Sequence, residues 1–228
     1  MSVSGRAVDT RPGDAFLLVE EICHRVTNEY AQLIASLTAA AQDTHDVVGR
    51  RALVRAADTL HDYAAAHHAL RAPPSGQRDL ADYLEGVCLA LSVARLRPRG
   101  VKLSLSADAV DLSASRCWRV GLVISELICN SLRHGFTERA GDLHICLRHA
   151  DGQILCRVSG EGAGLDLFAP GNGRRIIRRL AQELGGSIGW SAGSCGVSVN
   201  LVFPAAEPRS DRNVVGERFD HGADLQWL

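Results

Sequence analysis

Apolar residues near the start of the chain follow the spacing of a coiled-coil seam. They recur at alternating steps of three and four residues: Phe16, Val19, Cys23, Val26, Tyr30, Leu33 and Leu37. This spacing places them along one stripe of a single long helix. Because an apolar stripe of this length is unstable in water, the segment must pack against another helix of this chain or of a second copy.

A second helix provides part of that cover. Gly13 and Asp14 offer a cap for the first helix, which we expect to end near Gln42. A tight connection at 43–46 leads to a second helix that ends near Leu70. The apolar stripe of the second helix is Leu53, Ala57, Leu60 and Ala64. Since a hairpin of this size cannot bury both stripes by itself, we predict that two copies form a dimeric four-helix bundle.

The pattern changes after the Pro-Pro break at 72–76. Helical periodicity returns at 79–97, 113–136 and 173–184. Short alternating segments predict strands at 101–105, 143–147, 154–158, 187–190 and 197–203, with Asp151-Gly152 as a hairpin turn. Mostly antiparallel strands interleaved with three helices predict a two-layer α/β sandwich, so the fold class is α+β. We therefore expect a flexible arm at 1–12, a helical hairpin at 13–72, a sandwich domain at 78–204 and a tail at 205–228.

Composition excludes several function classes. The formal net charge is −1, so no overall basic field would attract nucleic acid or anionic lipid. The seven cysteines show no CxxC spacing, which argues against a disulfide framework or a zinc site. No apolar run has the length of a membrane span, and Met1–Pro12 lacks the apolar core of a signal peptide. We expect a cytoplasmic protein without a nucleic-acid or membrane partner.

His24 is the candidate reactive residue of the hairpin. It lies just off the apolar seam, and its neighbours on the same helical face are Glu20, Glu21, Thr27 and Asn28. An exposed imidazole can act as a nucleophile when a carboxylate fixes its tautomer or accepts its proton. A surface histidine in a helical bundle would show the same pattern, so these residues alone leave both interpretations open.

A second polar constellation lies on the helix at 113–136. Glu126, Asn130, Arg133 and His134 share one face of that helix, while the opposite face is apolar. A largely buried helix that carries a polar stripe must satisfy it with partners. Those partners are either a ligand or solvent, and the spacing alone does not decide between them.

Four motifs together resemble the bacterial sensor histidine kinases. His24-Arg25-Val26-Thr27-Asn28 resembles the His-Arg-Val-x-Asn acceptor box of one subfamily, and the stretch 126–136 resembles the family's N-box, Glu-Leu-x-x-Asn-x-x-Lys-His-x-Phe. Gly162-Ala163-Gly164-Leu165 resembles the first glycine box, and the stretch 171–177 resembles the second. The motifs occur in the family's order over residues 14–204. The sandwich is thus expected to be of the histidine-kinase ATPase type.

The resemblance implies a role for each motif. His24 would carry the phosphoryl group, with Glu20, Glu21 and Asn28 assisting. The nucleotide-binding residues would be Glu126, Asn130, Arg133, His134, Gly162, Gly164, Gly171 and Gly173. Asn130 would hold Mg²⁺ only if ATP binds.

Two departures from the family pattern weaken that nucleotide site. The first glycine box usually begins with an aspartate that accepts a hydrogen bond from adenine, and here Gly160 takes its place. Losing a buried charged acceptor costs roughly 1.5–3 kcal/mol. The segment between the glycine boxes, 166–170, is also short for a lid that closes over a triphosphate. In addition, we expect no sensor domain ahead of the acceptor helix. We expect no cofactor, or weakly bound Mg-ATP at most.

Three hypotheses follow. The first is a histidine phosphotransferase, a degenerate kinase dimer that exchanges phosphate between His24 and receiver-domain aspartates of response regulators in a two-component phosphorelay. The second is an active stand-alone kinase that uses ATP to phosphorylate His24. The third is a non-catalytic protein that sequesters a regulator. The retained His24 box disfavours the third, and the glycine at 160 favours the first over the second.

Overall fold

The structure is a computed structural model that describes residues 12–71, 75–136, 140–160, 172–193 and 196–207. Side chains are described from residue 25 onward, except at 172, 192, 193 and 196. Most of the predicted arm and tail therefore lie outside the described residues. No helix in the described part of the chain is long and apolar enough to cross a membrane.

Two long helices begin the fold. Helix α1 spans Pro12–Asp43 and α2 spans Val47–Ala69. Asp46 ends the short connection by capping α2, because its carboxylate accepts hydrogen bonds from the backbone amides of residues 48 and 49 at 3.3 and 2.6 Å. The helices lie side by side, with the rings of Tyr30 and His67 5.4 Å apart between centroids. The structure describes one copy, so the dimeric four-helix bundle stays a prediction.

A mixed five-stranded sheet forms the second half of the fold. Its strands are β2 (Val101–Ala107), β4 (Gly141–Ala150), β5 (Gln153–Gly160), β6 (Ser187–Gly193) and β7 (Gly196–Pro204), in the order β2-β4-β5-β7-β6. β2 pairs with β4 in parallel and the other pairs are antiparallel. A small separate sheet joins β1 (Gln77–Asp79) to β3 (Asp111–Ser113).

Helices cover one face of the large sheet. They are α3 (Leu80–Leu91), α4 (Ala114–His134) and α5 (Asn172–Glu183). Strand residues alternate between the faces: Leu143 and Leu147 are buried under the helices, whereas His144 points outward and shares a 2.6 Å hydrogen bond with Ser104 on the neighbouring strand. The described residues thus form an α+β fold with one apolar core between helices and sheet.

Turn and helix-end signals in the sequence are confirmed. Asp151 and Gly152 form the β4–β5 turn with φ angles of 51° and 70°, the left-handed values that a two-residue hairpin of this kind requires. Helix α5 ends at the predicted Gly185-Gly186 pair, where the Gly186 amide donates to the Ala181 carbonyl at 2.9 Å.

The predicted helix at 79–97 is a composite, and that expectation was wrong in detail. Helix α3 ends at Leu91, a π-helical turn follows at Ser92–Leu96, and a 3-10 turn follows at Arg97–Arg99. Pro98 has no amide hydrogen to donate, so a regular helix cannot continue through it. The small β1–β3 sheet and the parallel β2–β4 pairing were also not predicted, because local periodicity carries no record of which strands pair.

Two contacts attach α2 to the sandwich. The Trp118 indole Nε1 of α4 donates a 2.9 Å hydrogen bond to the Leu70 carbonyl at the end of α2. The guanidinium of Arg95, in the π-helical turn, lies over the Tyr63 ring of α2 at 5.3 Å. These contacts hold the end of the hairpin against α4 and against the π-helical turn.

Candidate functional site

The acceptor face of the hairpin is partly described. His24, Glu20 and Glu21 lie in α1, but their side chains are outside the described residues, so their grouping stays a prediction. Further along the helix, Val26 is half-buried and Asn28 is exposed. Thr27 is also half-buried, and Leu33 of the apolar seam is 52% exposed, so the division of α1 into a seam side and a polar side stays a prediction.

The predicted polar stripe on α4 is present as one face of that helix. Glu126, Asn130 and His134 are half-buried and Arg133 is exposed. The opposite side of the helix packs into the core, where Leu127 is 2% exposed. Because the helix is anchored by its apolar face, its polar groups are held in fixed register along a rim of the sandwich.

Glu126 lies directly against the start of α5. A side-chain carbon built on Gly173 would approach the Glu126 Oε1 atom to 2.1 Å. Any residue larger than glycine would therefore have to push the Glu126 carboxylate aside. This close approach brings the N-box-like helix together with the second glycine segment. The other three predicted glycines, Gly162, Gly164 and Gly171, lie outside the described residues.

Gly160, at the end of β5, occupies the position where the resemblance expects the adenine-binding aspartate. A side-chain carbon at this position would lie 3.1 Å from the Leu143 Cδ1 atom and 3.2 Å from the Phe136 Cζ atom. It would also lie 3.3 Å from the Asp142 carbonyl oxygen. The position thus lacks a carboxylate and is crowded by apolar side chains, a poor setting for a charged acceptor.

The arginines of α5 make contacts with specific partners. Arg174 and Arg178 lie over the Trp190 ring at 4.6 and 5.3 Å. Arg179 pairs with Glu183 at 3.2 Å in an exposed ion pair. These contacts attach α5 to β6 and leave Arg175 exposed at the helix surface.

A cleft between the hairpin and the sandwich was missed by sequence reasoning. Its volume is about 90 Å³, and we call it the arginine cleft. It is lined by Tyr63, Arg95, Arg99, Cys129, Leu132 and Arg133. The alternating arginines at 95, 97 and 99 were the available signal, but nothing local showed that two of them face α4.

Two groups beside this cleft have displaced pKa values. Burial lowers the pKa of His67 below 6.5, and the charge of Arg95 lowers it further. Burial raises the pKa of the Cys129 thiol and Glu126 adds to that effect, while Arg95 and Arg133 act in the opposite direction. Both groups therefore sense the positive charge of Arg95. Among the described residues, no cluster of three or more histidines, cysteines and carboxylates could hold a metal ion.

The sequence and the structure of this chain are both similar to those of histidine kinases. The chain is 28% identical over 205 residues to blue-light-activated histidine kinase 2 of Erythrobacter litoralis, covering 83% of this chain and 58% of that protein. The histidine kinase domain of the Erythrobacter litoralis EL346 blue-light-activated kinase has the same fold, with a TM-score of 0.54 at 24% identity over 78% of this chain and 94% of that domain. No protein-family model matches the chain.

A solved bacterial phosphotransferase shares the fold over more of the chain. Its TM-score is 0.56 at 16% identity, covering 87% of this chain and 98% of that protein. The sequence and fold similarities together show that the chain is a histidine-kinase-like protein. It spans only part of the kinase that it matches in sequence.

Proposed function

We propose that this chain is a phosphorelay protein of two-component signalling that carries phosphate on His24 and exchanges it with receiver-domain aspartates of response regulators. The observation that carries the proposal is the environment of Gly160. The position has no carboxylate, and the first side-chain carbon of any other residue there would be crowded by Leu143 and Phe136. A kinase fold with a weakened adenine site favours transfer between proteins over consumption of ATP. The matching fold of a bacterial phosphotransferase is compatible with this role.

The proposed transfer needs little covalent chemistry from the protein. An imidazole nitrogen of His24 attacks the phosphorus of a phosphoaspartate in line, so a P–N bond forms as the P–O bond breaks and the aspartate carboxylate leaves. Glu20 or Glu21, one turn away on the same face, orients the ring and accepts the proton of its other nitrogen. Asn28, exposed one turn further along the helix, contacts the bound receiver. The reverse reaction returns the phosphate to the receiver.

We further propose that the hairpin, residues 13–72, forms a homodimer and that residues 78–204 form an ATPase-like domain. Large apolar side chains of the hairpin remain exposed in one copy, among them Leu33 at 52% and Val48 at 73%. A second copy would cover this surface in a four-helix bundle. The acceptor histidines would then stand on the outside of the bundle, within reach of a docked receiver.

An active ATP-dependent kinase is the second candidate. The observation that favours it is the retained polar rim of α4, where Asn130 is half-buried and Arg133 is exposed. Asn130 would hold Mg²⁺ and Arg133 the phosphates, and bound ATP would supply the phosphoryl group. The phosphate end of such a site fits these residues, whereas the adenine end at Gly160 does not.

A donor test separates the two candidates. Purified protein is incubated with labelled Mg-ATP and, separately, with a panel of receiver domains phosphorylated with acetyl phosphate. The proposal expects acid-labile label on the protein from at least one receiver and little or none from ATP. Label from ATP together with no uptake from any receiver would establish the kinase and refute the phosphotransferase.

A further inference from the structure

We propose that the arginine cleft is a binding site for a small oxyanion, with inorganic phosphate as the simplest case. The site borders the nucleotide-binding face of α4 and shares Arg133 with it, but Arg95 and Arg99 lie outside that face, and the site goes beyond the proposed phosphotransfer. Its walls come from α2, the π-helical and 3-10 turns and α4, so a bound anion would tie the hairpin to the sandwich.

The lining has the composition of an anion site. Among its described residues it contains three arginines and no carboxylate. None of Arg95, Arg99 and Arg133 forms an ion pair within the part of the chain that the structure describes. Guanidinium groups bind tetrahedral oxyanions through paired N–H donors. Three such groups around one cleft without a counter-charge therefore favour an anion as the missing partner.

Arg95 is held in place with most of its donors unused. Its guanidinium lies over Tyr63, and its Nη1 atom donates to the Cys129 sulfur at 3.5 Å, a weak acceptor. Its Nε atom is buried and has no hydrogen-bond partner among the described residues. That atom has almost no exposed surface, so an oxyanion in the cleft would accept from the Nη atoms of Arg95. Arg99 is oriented by a 3.2 Å hydrogen bond from its Nη1 atom to the Leu132 carbonyl.

Local structure and size agree with a small ligand. The π-helical turn at 92–96 is a rare element that often marks functional sites, and it carries Arg95. The cleft volume of about 90 Å³ is several times what one water molecule needs and far below the roughly 300–1,000 Å³ of pockets for larger ligands. A single phosphate fits this volume and a whole nucleotide does not.

Calorimetry and thermal unfolding of the full chain test the site, with inorganic phosphate as the ligand and chloride at matched ionic strength as the reference. We expect phosphate to bind the wild type and raise its melting temperature. Arg95→Gln and Arg99→Gln should each weaken phosphate binding by about tenfold or more, because each removes a charged donor. Arg99 is exposed, so Arg99→Gln keeps the core intact even if Arg95→Gln disturbs the fold.

Arg97→Gln is the matched control. Arg97 is exposed in the same stretch and does not line the cleft, so its loss should leave phosphate affinity within about twofold. No response to phosphate, or an equal loss in Arg97→Gln, would overturn the proposal.

One further variant tests whether phosphate binds in the arginine cleft or at the nucleotide-binding face of α4. If the anion belongs to the nucleotide face, Asn130→Ala will weaken phosphate binding as much as Arg99→Gln does, and a separate site is refuted. The proposal expects Asn130→Ala to bind phosphate like the wild type. Neither result depends on whether His24 carries phosphate.

Discussion

The hairpin and the sandwich bury their side chains to very different degrees. Among the described side chains of α1 and α2, the buried apolar residues are the small Ala41, Ala57 and Ala66. In the sandwich, large residues such as Leu84 and Ile128 are fully buried. The sandwich thus forms its own core, whereas the hairpin leaves much of its apolar surface uncovered. This difference supports the proposed dimer, in which a second copy would cover the hairpin surface that the sandwich leaves exposed.

The largest expected effect is the loss of dimerisation when a charge is introduced into the hairpin seam. Val26→Glu places a carboxylate from each copy in the proposed dimer interface, and we expect it to weaken dimerisation by about a hundredfold or more. Gln32→Glu adds the same charge at an exposed position and should leave the dimer intact. Light scattering at tens of micromolar measures both. A wild-type monomer at that concentration would refute the dimer.

A matched pair of leucine substitutions sharpens the contrast. Leu84 is fully buried in α3 and Leu33 is 52% exposed in α1. Leu84→Ala should lower the free energy of unfolding by about 2–5 kcal/mol at any protein concentration, since it leaves a cavity in the sandwich core. Leu33→Ala should lower the melting temperature only where the dimer is populated. A concentration-independent loss for Leu33→Ala would show that the hairpin is stable without a second copy.

The next largest expected effect is a change in the affinity of the proposed nucleotide site for Mg-ATP. We expect the wild type to bind Mg-ATP with a dissociation constant in about the millimolar range or weaker. Gly160→Asp should raise the affinity for Mg-ATP clearly only when it is combined with Phe136→Leu. The reason is that Phe136 crowds the side chain introduced at position 160. Gly160→Ala is the control for crowding without charge. Micromolar binding to the wild type by calorimetry, lost in Asn130→Ala, would instead establish a working nucleotide site.

The smallest expected effect is at the contact between α4 and α5. Gly173→Ala must displace the Glu126 carboxylate, which a flexible side chain permits at small cost. In a Glu126→Ala background the same change should stabilise the fold by about 0.5–1 kcal/mol, because alanine is the better helix former. In the wild type that gain should shrink or vanish. Equal effects in both backgrounds by denaturant unfolding would show that the two residues are not coupled.

Local signals in the sequence predicted much of the fold. The Asp151-Gly152 turn and the helix end at Gly185-Gly186 were found because each depends on residues adjacent in the chain. The parallel β2–β4 pairing and the contact of Arg174 with Trp190 were not, because both partners in each case are distant in sequence. Periodicity shows that a face is polar or apolar, but not what lies against it.

The same limit applies to the candidate sites. The polar stripe on α4 could be predicted because it repeats at helical spacing within a few turns. The arginine cleft could not, since it joins α2, a π-helical turn and α4. The crowding of Gly160 by Phe136 was likewise invisible, although the missing aspartate itself was evident from the motif.

Phosphoryl uptake by a His24 variant tests the central claim most directly. His24→Ala and, as a control, His61→Ala at an exposed position of α2 are each incubated with phosphorylated receiver domains. We expect His24→Ala to take up no acid-labile phosphate while its circular dichroism and dimerisation match the wild type. His61→Ala should take up phosphate within a few fold of the wild type. Uptake of acid-labile phosphate by His24→Ala from a phosphorylated receiver would contradict the account.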